Sequence, residues 1–325
     1  MNWQLHKAWL DENYSENQNK DKHKNVSDLD FAVVASFGHF IPKSVLSKFN
    51  QGGLNVHGSL LPAYRGSTPL QRAILEHEPF TGVTLQKIDE NKLDHGDIVL
   101  QSGNILLTED TTVDKLYQDA STAGGELLIK FFDDPDSCLS KKVVQPKKSP
   151  TKFAKLFKKE ENWDLINFYE LSARDIYARF RVFKELKLSF RTGTKSDIKN
   201  VRVTQMKLIT TPKEFVHLKK GALFSKQTNL GPKNKTIKAV VICDEQYSIQ
   251  LIKLRIIKDD NSVVFCDSGV QIIRNLMPFE LGVGGRHSRY FSKDHFEHIG
   301  VFSDEQEVDE RRKYLDIKVD NYYFL

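Results

Sequence analysis

The sequence contains no long hydrophobic run: nothing in it approaches the ~20 consecutive apolar residues of a membrane-spanning helix. Cysteine is sparse. Cys138, Cys243 and Cys266 are odd in number and far apart, which excludes a disulfide framework and zinc-ligand spacing. They read as ordinary residues of a reducing compartment. There is no G-x-S-x-G elbow and no P-loop, so neither a serine elbow nor a Walker-type phosphate cradle is expected. No metal is expected either. Apolar residues make up only 39% of the chain, yet 325 residues suffice for two domains with packed cores. The opening segment carries Asp11, Glu12 and Glu16, unlike a signal peptide or an acid-poor transit peptide, so no targeting segment is legible there.

Charge is plentiful but unevenly placed. From Lys141 to Lys238 there are 25 Lys or Arg against 8 Asp or Glu, within an overall charge of only +5. The remainder of the chain is therefore net acidic. A bias of one sign sustained over so long a segment points to a polyanionic partner such as nucleic acid. A solvated basic surface is the simpler alternative.

Residues 1–29 are polar, with little periodicity, and read as an arm. Phe31 to Ala35 is a short continuous apolar run, as in an interior parallel strand covered on both faces. Ser36, Phe37 and Gly38 form the loop at its carboxyl end, and Pro42 to Phe49 a short helix. Leu54 to His57 reads as a strand, and Pro69 to Glu76 as a helix with proline near its start. Gly82 to Ile88 alternates as a strand, Leu93 to Asp97 is a turn, and Ile98 to Ser102 a strand. Thr111 to Phe132 is helical, with Val113, Leu116, Ala120 and Leu127 on one side. This is an α/β pattern, with ligands expected at strand carboxyl ends. Lys141 to Glu161 reads as a basic linker. Ser172 opens a helix with Asp175 completing its cap; Ile176, Phe180 and Phe183 line one face, and Arg174 and Arg181 the other. Strands over Val201 to Leu208, Ile237 to Cys243 and Ser248 to Ile257 suggest a small, OB-like β-rich domain. Gly282 to Arg286 resembles a phosphate loop only superficially, because it does not join a strand to a helix in a βαβ unit. Tyr322 to Phe324 is an aromatic tail expected to pack against the small domain.

The densest local signal is Asn55-Val-His-Gly-Ser-Leu-Leu-Pro-Ala-Tyr-Arg-Gly66, followed by Leu93-Asp-His-Gly-Asp97. Asn55 and His57 alternate on one strand and point to the same side. A carboxylate from the later loop would hydrogen-bond His57 and favour imidazolium. An amide donor beside a protonated imidazole stabilises a developing oxyanion and requires no serine or cysteine nucleophile. Histidines after strands also serve structure, and Asn and Asp in loops commonly cap or turn the chain, so the residues alone leave both readings open.

This stretch resembles the signature of the 10-formyltetrahydrofolate-dependent formyltransferases. Asn55-x-His57, Ser59-Leu-Leu-Pro62 and Leu93-Asp94-x-Gly96 are its most specific parts, and the likeness runs from about Phe31 to Phe132. Arg65-Gly66-Ser-Thr-Pro69-Leu-Gln71-Arg72 and Asn162-Trp163-Asp164 are closer to the methionyl-tRNA branch. The resemblance implies a Rossmann-like parallel-sheet catalytic domain over residues 30–140, a linker over 141–161 and a tRNA-binding domain over 162–325. It implies Asn55, His57 and Asp94 as catalytic, with Asp94 holding His57. Ser59, Leu60, Leu61, Pro62, Ser36, Phe37, Gly38, Asp89 and Asp97 would bind the co-substrate 10-formyltetrahydrofolate. Methionyl-initiator tRNA would be the partner, contacted by Arg65, Lys155, Lys158, Lys159, Arg174 and Arg181, with the mitochondrion as the expected compartment. Two alternatives stand beside it: formyl transfer to a small amine, and a non-catalytic RNA-binding remnant. Because Phe31 to Ala35 lies mid-sheet in this family and only the polar arm precedes it, the chain is also expected to lack the start of its catalytic domain. As written it would then be poorly soluble and nearly inactive.

Overall fold

The computed structural model describes residues 29–37, 40–168, 170–188, 198–211, 213, 222–229, 235–258, 260–268, 271–272, 297–300 and 322–324. The expected arm up to residue 28, Gly38 and the 282–286 loop lie outside them. The chain divides into two compact units, Met1–Leu156 and Phe157–Leu325.

In the first unit, β1 (Ala32–Ala35), α1 (Lys43–Leu46), β2 (Gly53–His57), α2 (Pro69–Leu75), β3 (Phe80–Thr81), β4 (Thr84–Lys87), β5 (Ile98–Gln101), β6 (Ile105–Leu106), α3 (Val113–Asp133) and α4 (Pro135–Ser140) follow in order. The main sheet runs β1-β2-β4-β5, and β3 pairs with β6 in a separate ribbon. The β1–β2 pair is parallel, but β2–β4 and β4–β5 are antiparallel. The sheet is thus mixed within its α/β layout: a short connection such as that from β4 to β5 cannot make the long crossover that a parallel pair requires. The α1 helix is shorter than the expected Pro42 to Phe49.

Among the described residues β1 is an edge strand, not the interior strand its apolar run suggests. It pairs with β2, and its side chains alternate, with Val33 44% exposed. The α3 helix buries Val113, Leu116, Ala120, Gly124, Leu127 and Phe131 along one face. Thr112 caps it by accepting from the Lys115 amide. A Cβ at Gly124 would lie 2.8 Å from Val56 Cγ1, so glycine allows the helix to approach β2 closely. Leu54, Ile74, Leu85, Leu116 and Phe131 are fully buried, each worth roughly 1.5–3 kcal/mol relative to an exposed side chain.

The expected linker is largely part of this unit. Val143 bridges to Ile98, Ala154 bridges to Gly66, and the Thr68 amide donates to Ala154 O at 3.1 Å. The segment 141–156 is therefore a strap held by backbone hydrogen bonds. Its composition reads as a linker because only a few of its side chains turn inward.

The second unit holds β7 (Leu165–Ile166), α5 (Ala173–Phe183), β8 (Leu186–Leu188), β9 (Ile198–Thr210), β10 (Ala222–Asn229), β11 (Lys235–Ile242), β12 (Tyr247–Lys258), β13 (Val263–Cys266), β14 (Glu297–Gly300) and β15 (Tyr322–Phe324). They form one sheet ordered β15-β14-β10-β11-β12-β9-β8-β7, with β13 on β12. The segment is β-rich as expected, but β9 and β12 are long strands of 13 and 12 residues, paired over most of their length. The aromatic tail is strand β15, parallel to β14. The core gathers Ile176, Leu186, Val203, Val241, Ile249 and Leu254 with their neighbours. Ser172 and Asp175 make the expected reciprocal cap on α5.

Candidate active site

The β2 strand ends at His57, and β4 runs antiparallel beside it, placing Asn55 opposite Gln86. The loop 93–97 that follows β4 carries Asp94. The segment 58–68 that follows β2 turns back toward it. A cavity of ≈ 410 Å³ opens here, lined by Asn55, His57 and Asp94 together with Ser36, Phe37, Gly66, Gln86, Lys87 and Asp89.

Asp94 is the hub. Its Oδ1 accepts from Asn55 Nδ2 at 3.2 Å and from Gln86 Nε2 at 2.9 Å. Its Oδ2 accepts from the Gly66 amide at 2.9 Å. His57 Nδ1 lies 3.6 Å from Oδ1, an ion-pair distance but long for a hydrogen bond. His57 Nε2 is 3.0 Å from Tyr64 O. A carbonyl can only accept, so Nε2 carries a proton and Nδ1 is the nitrogen turned toward the carboxylate. The sequence places Asn55, His57 and Asp94 together correctly. The arrangement differs from the expected one in detail: Asn55 and His57 both face Asp94, and both histidine nitrogens have neighbours within the protein. One Asn55 N–H goes to Asp94, which leaves the second for the cavity.

The loop is tightly specified. Asp94 has φ +57°, in the left-handed region that most side chains avoid. A Cβ at Gly96 would lie 1.8 Å from Lys87 O, so only glycine fits there. Gln145, from the strap, donates through Nε2 to Gly96 O at 2.7 Å and Asp94 O at 3.2 Å. Lys87 lines the cavity with its ammonium hydrogen-bonded to Gln51 O and 5.0 Å over the Phe31 ring. Burial, then the neighbouring Lys142, lowers its pKa, partly offset by Asp97.

Of the residues expected to bind the co-substrate, Ser36, Phe37 and Asp89 line the cavity. Ser59, Leu60, Leu61, Pro62 and Asp97 do not. Ser59 Oγ donates to Ala63 O, the Leu61 amide donates to Thr84 Oγ1, and Gln101 Nε2 donates to Leu61 O. That loop is bound to β4 and β5 and shapes the 58–68 segment from behind. Asp97 pairs with Lys142 at 2.7 Å.

Two expected tRNA contacts are corrected. Arg65 is only 3% exposed, and its guanidinium is spent on Gln145 Oε1, Pro146 O and Lys147 O. Burial lowers its pKa, and the nearby Asp94 opposes that shift. Arg181 is 6% exposed and packs over the Tyr177 ring at 5.7 Å, so α5 buries a face that includes it. Arg174, Lys155, Lys158 and Lys159 are exposed. Sequence reasoning missed Gln86 and Gln145. Neither stands out in the sequence: Gln86 falls on the polar side of an alternating strand, and Gln145 within a basic, proline-containing segment.

Among the described residues, no group of three or more His, Cys, Asp or Glu is placed to hold a metal ion, and no helix is long and apolar enough to cross a membrane. The formyl transferase family matches residues 4–132. A methionyl-tRNA formyltransferase from Bartonella tribocorum is 40% identical over 136 residues, covering 42% of this chain and 43% of the relative. One from Caldicellulosiruptor saccharolyticus is 38% identical over 157 residues, covering 47% and 46%. This chain thus spans less than half the length of either. The structure of an N-formyltransferase from Helicobacter canadensis, with folinic acid and dTDP-3-aminofucose, aligns at 21% identity and a TM-score of 0.45, covering 66% of this chain and 70% of that one. That likeness is too distant to bear on substrate. The formyl transferase family model thus covers residues 4–132, and within that stretch the 55–57 and 93–97 motifs converge on one cavity.

Proposed function

We propose that this chain transfers the formyl group of 10-formyltetrahydrofolate to the α-amino group of methionyl-initiator tRNA. The observation that carries the reading is the clustering of Asn55, His57 and Asp94 on one wall of a cavity within a formyl transferase domain. The methionyl-tRNA formyltransferases among its relatives and the basic composition of residues 141–238 favour a tRNA-borne amine over a small one.

In this reading the amine nitrogen attacks the formyl carbon. The second N–H of Asn55 donates to the carbonyl oxygen as negative charge develops there. The attacking amine loses a proton toward the His57–Asp94 pair, and the folate N10 gains one as the carbon–nitrogen bond breaks. Asp94 is anchored for this role by the Gly66 amide and Gln86. Ser36, Phe37 and Asp89 would face the folate, and the exposed Lys155, Lys158, Lys159 and Arg174 the tRNA phosphates. Translation initiation in the mitochondrion is the setting this activity would serve, and fractionation of cells expressing the tagged chain tests it.

The direct test offers the purified chain labelled 10-formyltetrahydrofolate with either charged initiator tRNA or an amino sugar nucleotide. Label transfer to the aminoacyl ester alone is expected. Transfer to the sugar alone would move the reading to a small amine, and RNA binding without any transfer would leave a non-catalytic remnant.

A further inference from the structure

Beyond the three motif residues, a second line of side chains runs into Asp94 from behind, beginning in the strap. Arg65 is buried and has donors only. Its Nε and one terminal nitrogen both reach Gln145 Oε1, at 3.0 Å and 2.8 Å. A guanidinium accepts nothing, so these two bonds fix which end of the Gln145 amide is oxygen. The NH2 must then face the other way. There it meets Gly96 O at 2.7 Å, Asp94 O at 3.2 Å and Gln86 Oε1 at 3.3 Å. The last contact orients the Gln86 amide in turn, so Gln86 Nε2 must be the end that reaches Asp94 Oδ1. Each amide in the line is turned by the one before it, starting from a group that cannot be reversed.

We propose that Gln145 is a positioning residue for Asp94: anchored by Arg65, it holds the 93–97 loop through backbone carbonyls and orients Gln86 onto the carboxylate. The backbone arm matters because Asp94 sits at φ +57°, a conformation that persists only when its surroundings impose it. The side-chain arm matters because a buried hydrogen-bond network is worth most when every member is satisfied, and a reversed Gln86 would set a carbonyl oxygen against the carboxylate. Arg65 and Gln145 are buried and do not line the cavity, so the start of the line is shielded from solvent. The inference rests on the proposed function in one respect only: the effect on catalysis presupposes that Asp94 acts in formyl transfer.

Gln145→Glu is the sharpest probe. It keeps the size of the side chain and an acceptor for Arg65 but removes both N–H donors. In the full chain it should lower kcat for formyl transfer by roughly 10²-fold, the cost of an ångström-scale misplacement of a reacting group. KM for 10-formyltetrahydrofolate should stay near the wild-type value, since Gln145 does not line the cavity. Gln145→Met, which introduces no charge, should do the same and serves if the glutamate variant fails to fold. Wild-type kcat in a folded variant, or a raised KM with kcat unchanged, would overturn the proposal. A second readout does not depend on activity: the side-chain 15N resonances of His57 report the Asp94 carboxylate beside Nδ1. They should shift in either variant, and unchanged resonances would also overturn the proposal. If the wild-type chain transfers no formyl group, the proposed function fails, and the resonances still decide the role of Gln145.

Discussion

At Asp94 three N–H donors converge on one carboxylate, and this fixes what the residue can be exchanged for. Oδ1 takes Asn55 and Gln86, and Oδ2 takes the Gly66 amide. Asp94→Asn is nearly isosteric, but either orientation of its amide sets an NH2 against a donor. The substitution should therefore cost about 1–3 kcal/mol of stability, as expected for buried polar groups left without partners. Turnover should also fall by at least ~10²-fold through loss of an electrostatic or acid–base element. Urea denaturation read beside turnover separates the two effects. A variant as stable as the wild type would mean that the donors do not converge as described. A stable and fully active variant would remove Asp94 from the mechanism. Gly96 is constrained differently: no side chain fits a site 1.8 Å from Lys87 O, and only displacement of the loop relieves the clash.

At the scale of elements, capped helix ends were legible because their signals are local, whereas the uncapped α1 is shorter than its sequence suggests. The α5 cap illustrates this: Ser172 Oγ accepts from the Asp175 amide and Asp175 Oδ2 accepts from the Ser172 amide, as the S-x-x-D spacing predicts. Ser172→Ala should destabilise the second unit by about 1 kcal/mol, within the range of roughly 0.5–2 for such caps. Circular dichroism during thermal unfolding measures it, and no change in midpoint would show that the cap contributes nothing. The apolar face of α3 was legible for the same reason of short-range periodicity. The juxtaposition of Asn55, His57 and Asp94 was legible because their spacing is that of a known motif. The strap was not. Residues 141–156 have the charge and proline of a linker, and their inward anchors, Gln145, Ser149, Thr151 and Ala154, follow no helical or strand period. Ser149 reaches Pro62 O, Thr151 accepts from the Tyr64 amide, and the Ala154 amide reaches Arg65 O; each partner is more than eighty residues away. Contacts so distant along the chain leave no trace in a local pattern. Arg65 was misplaced for the same reason: an arginine in a basic context suggests phosphate, and only the fold reveals Gln145 opposite it.

At the scale of the whole molecule, the 25-to-8 charge count from Lys141 to Lys238 is a prediction about solution behaviour. Much of that charge is carried by exposed lysines, among them Lys155, Lys158 and Lys159. Where a lysine meets a phosphate it releases a condensed counterion, adding about 0.9 to the slope of log affinity against log salt on duplex nucleic acid. Affinity for initiator tRNA should therefore fall steeply between about 50 mM and 200 mM salt. The substitutions Lys155→Glu, Lys158→Glu and Lys159→Glu together should flatten that slope by up to ~3. Folate binding should be unaffected, because none of the three lines the cavity. Arg65 and Arg181 behave as controls of the opposite kind. Buried and already partnered, they should alter stability when replaced and leave the salt slope unchanged. Filter binding of labelled tRNA across a salt series, with duplex RNA of unrelated sequence as competitor, gives both slope and specificity. Affinity indifferent to salt would mean that the basic composition is surface solvation and that recognition of any RNA rests on other contacts.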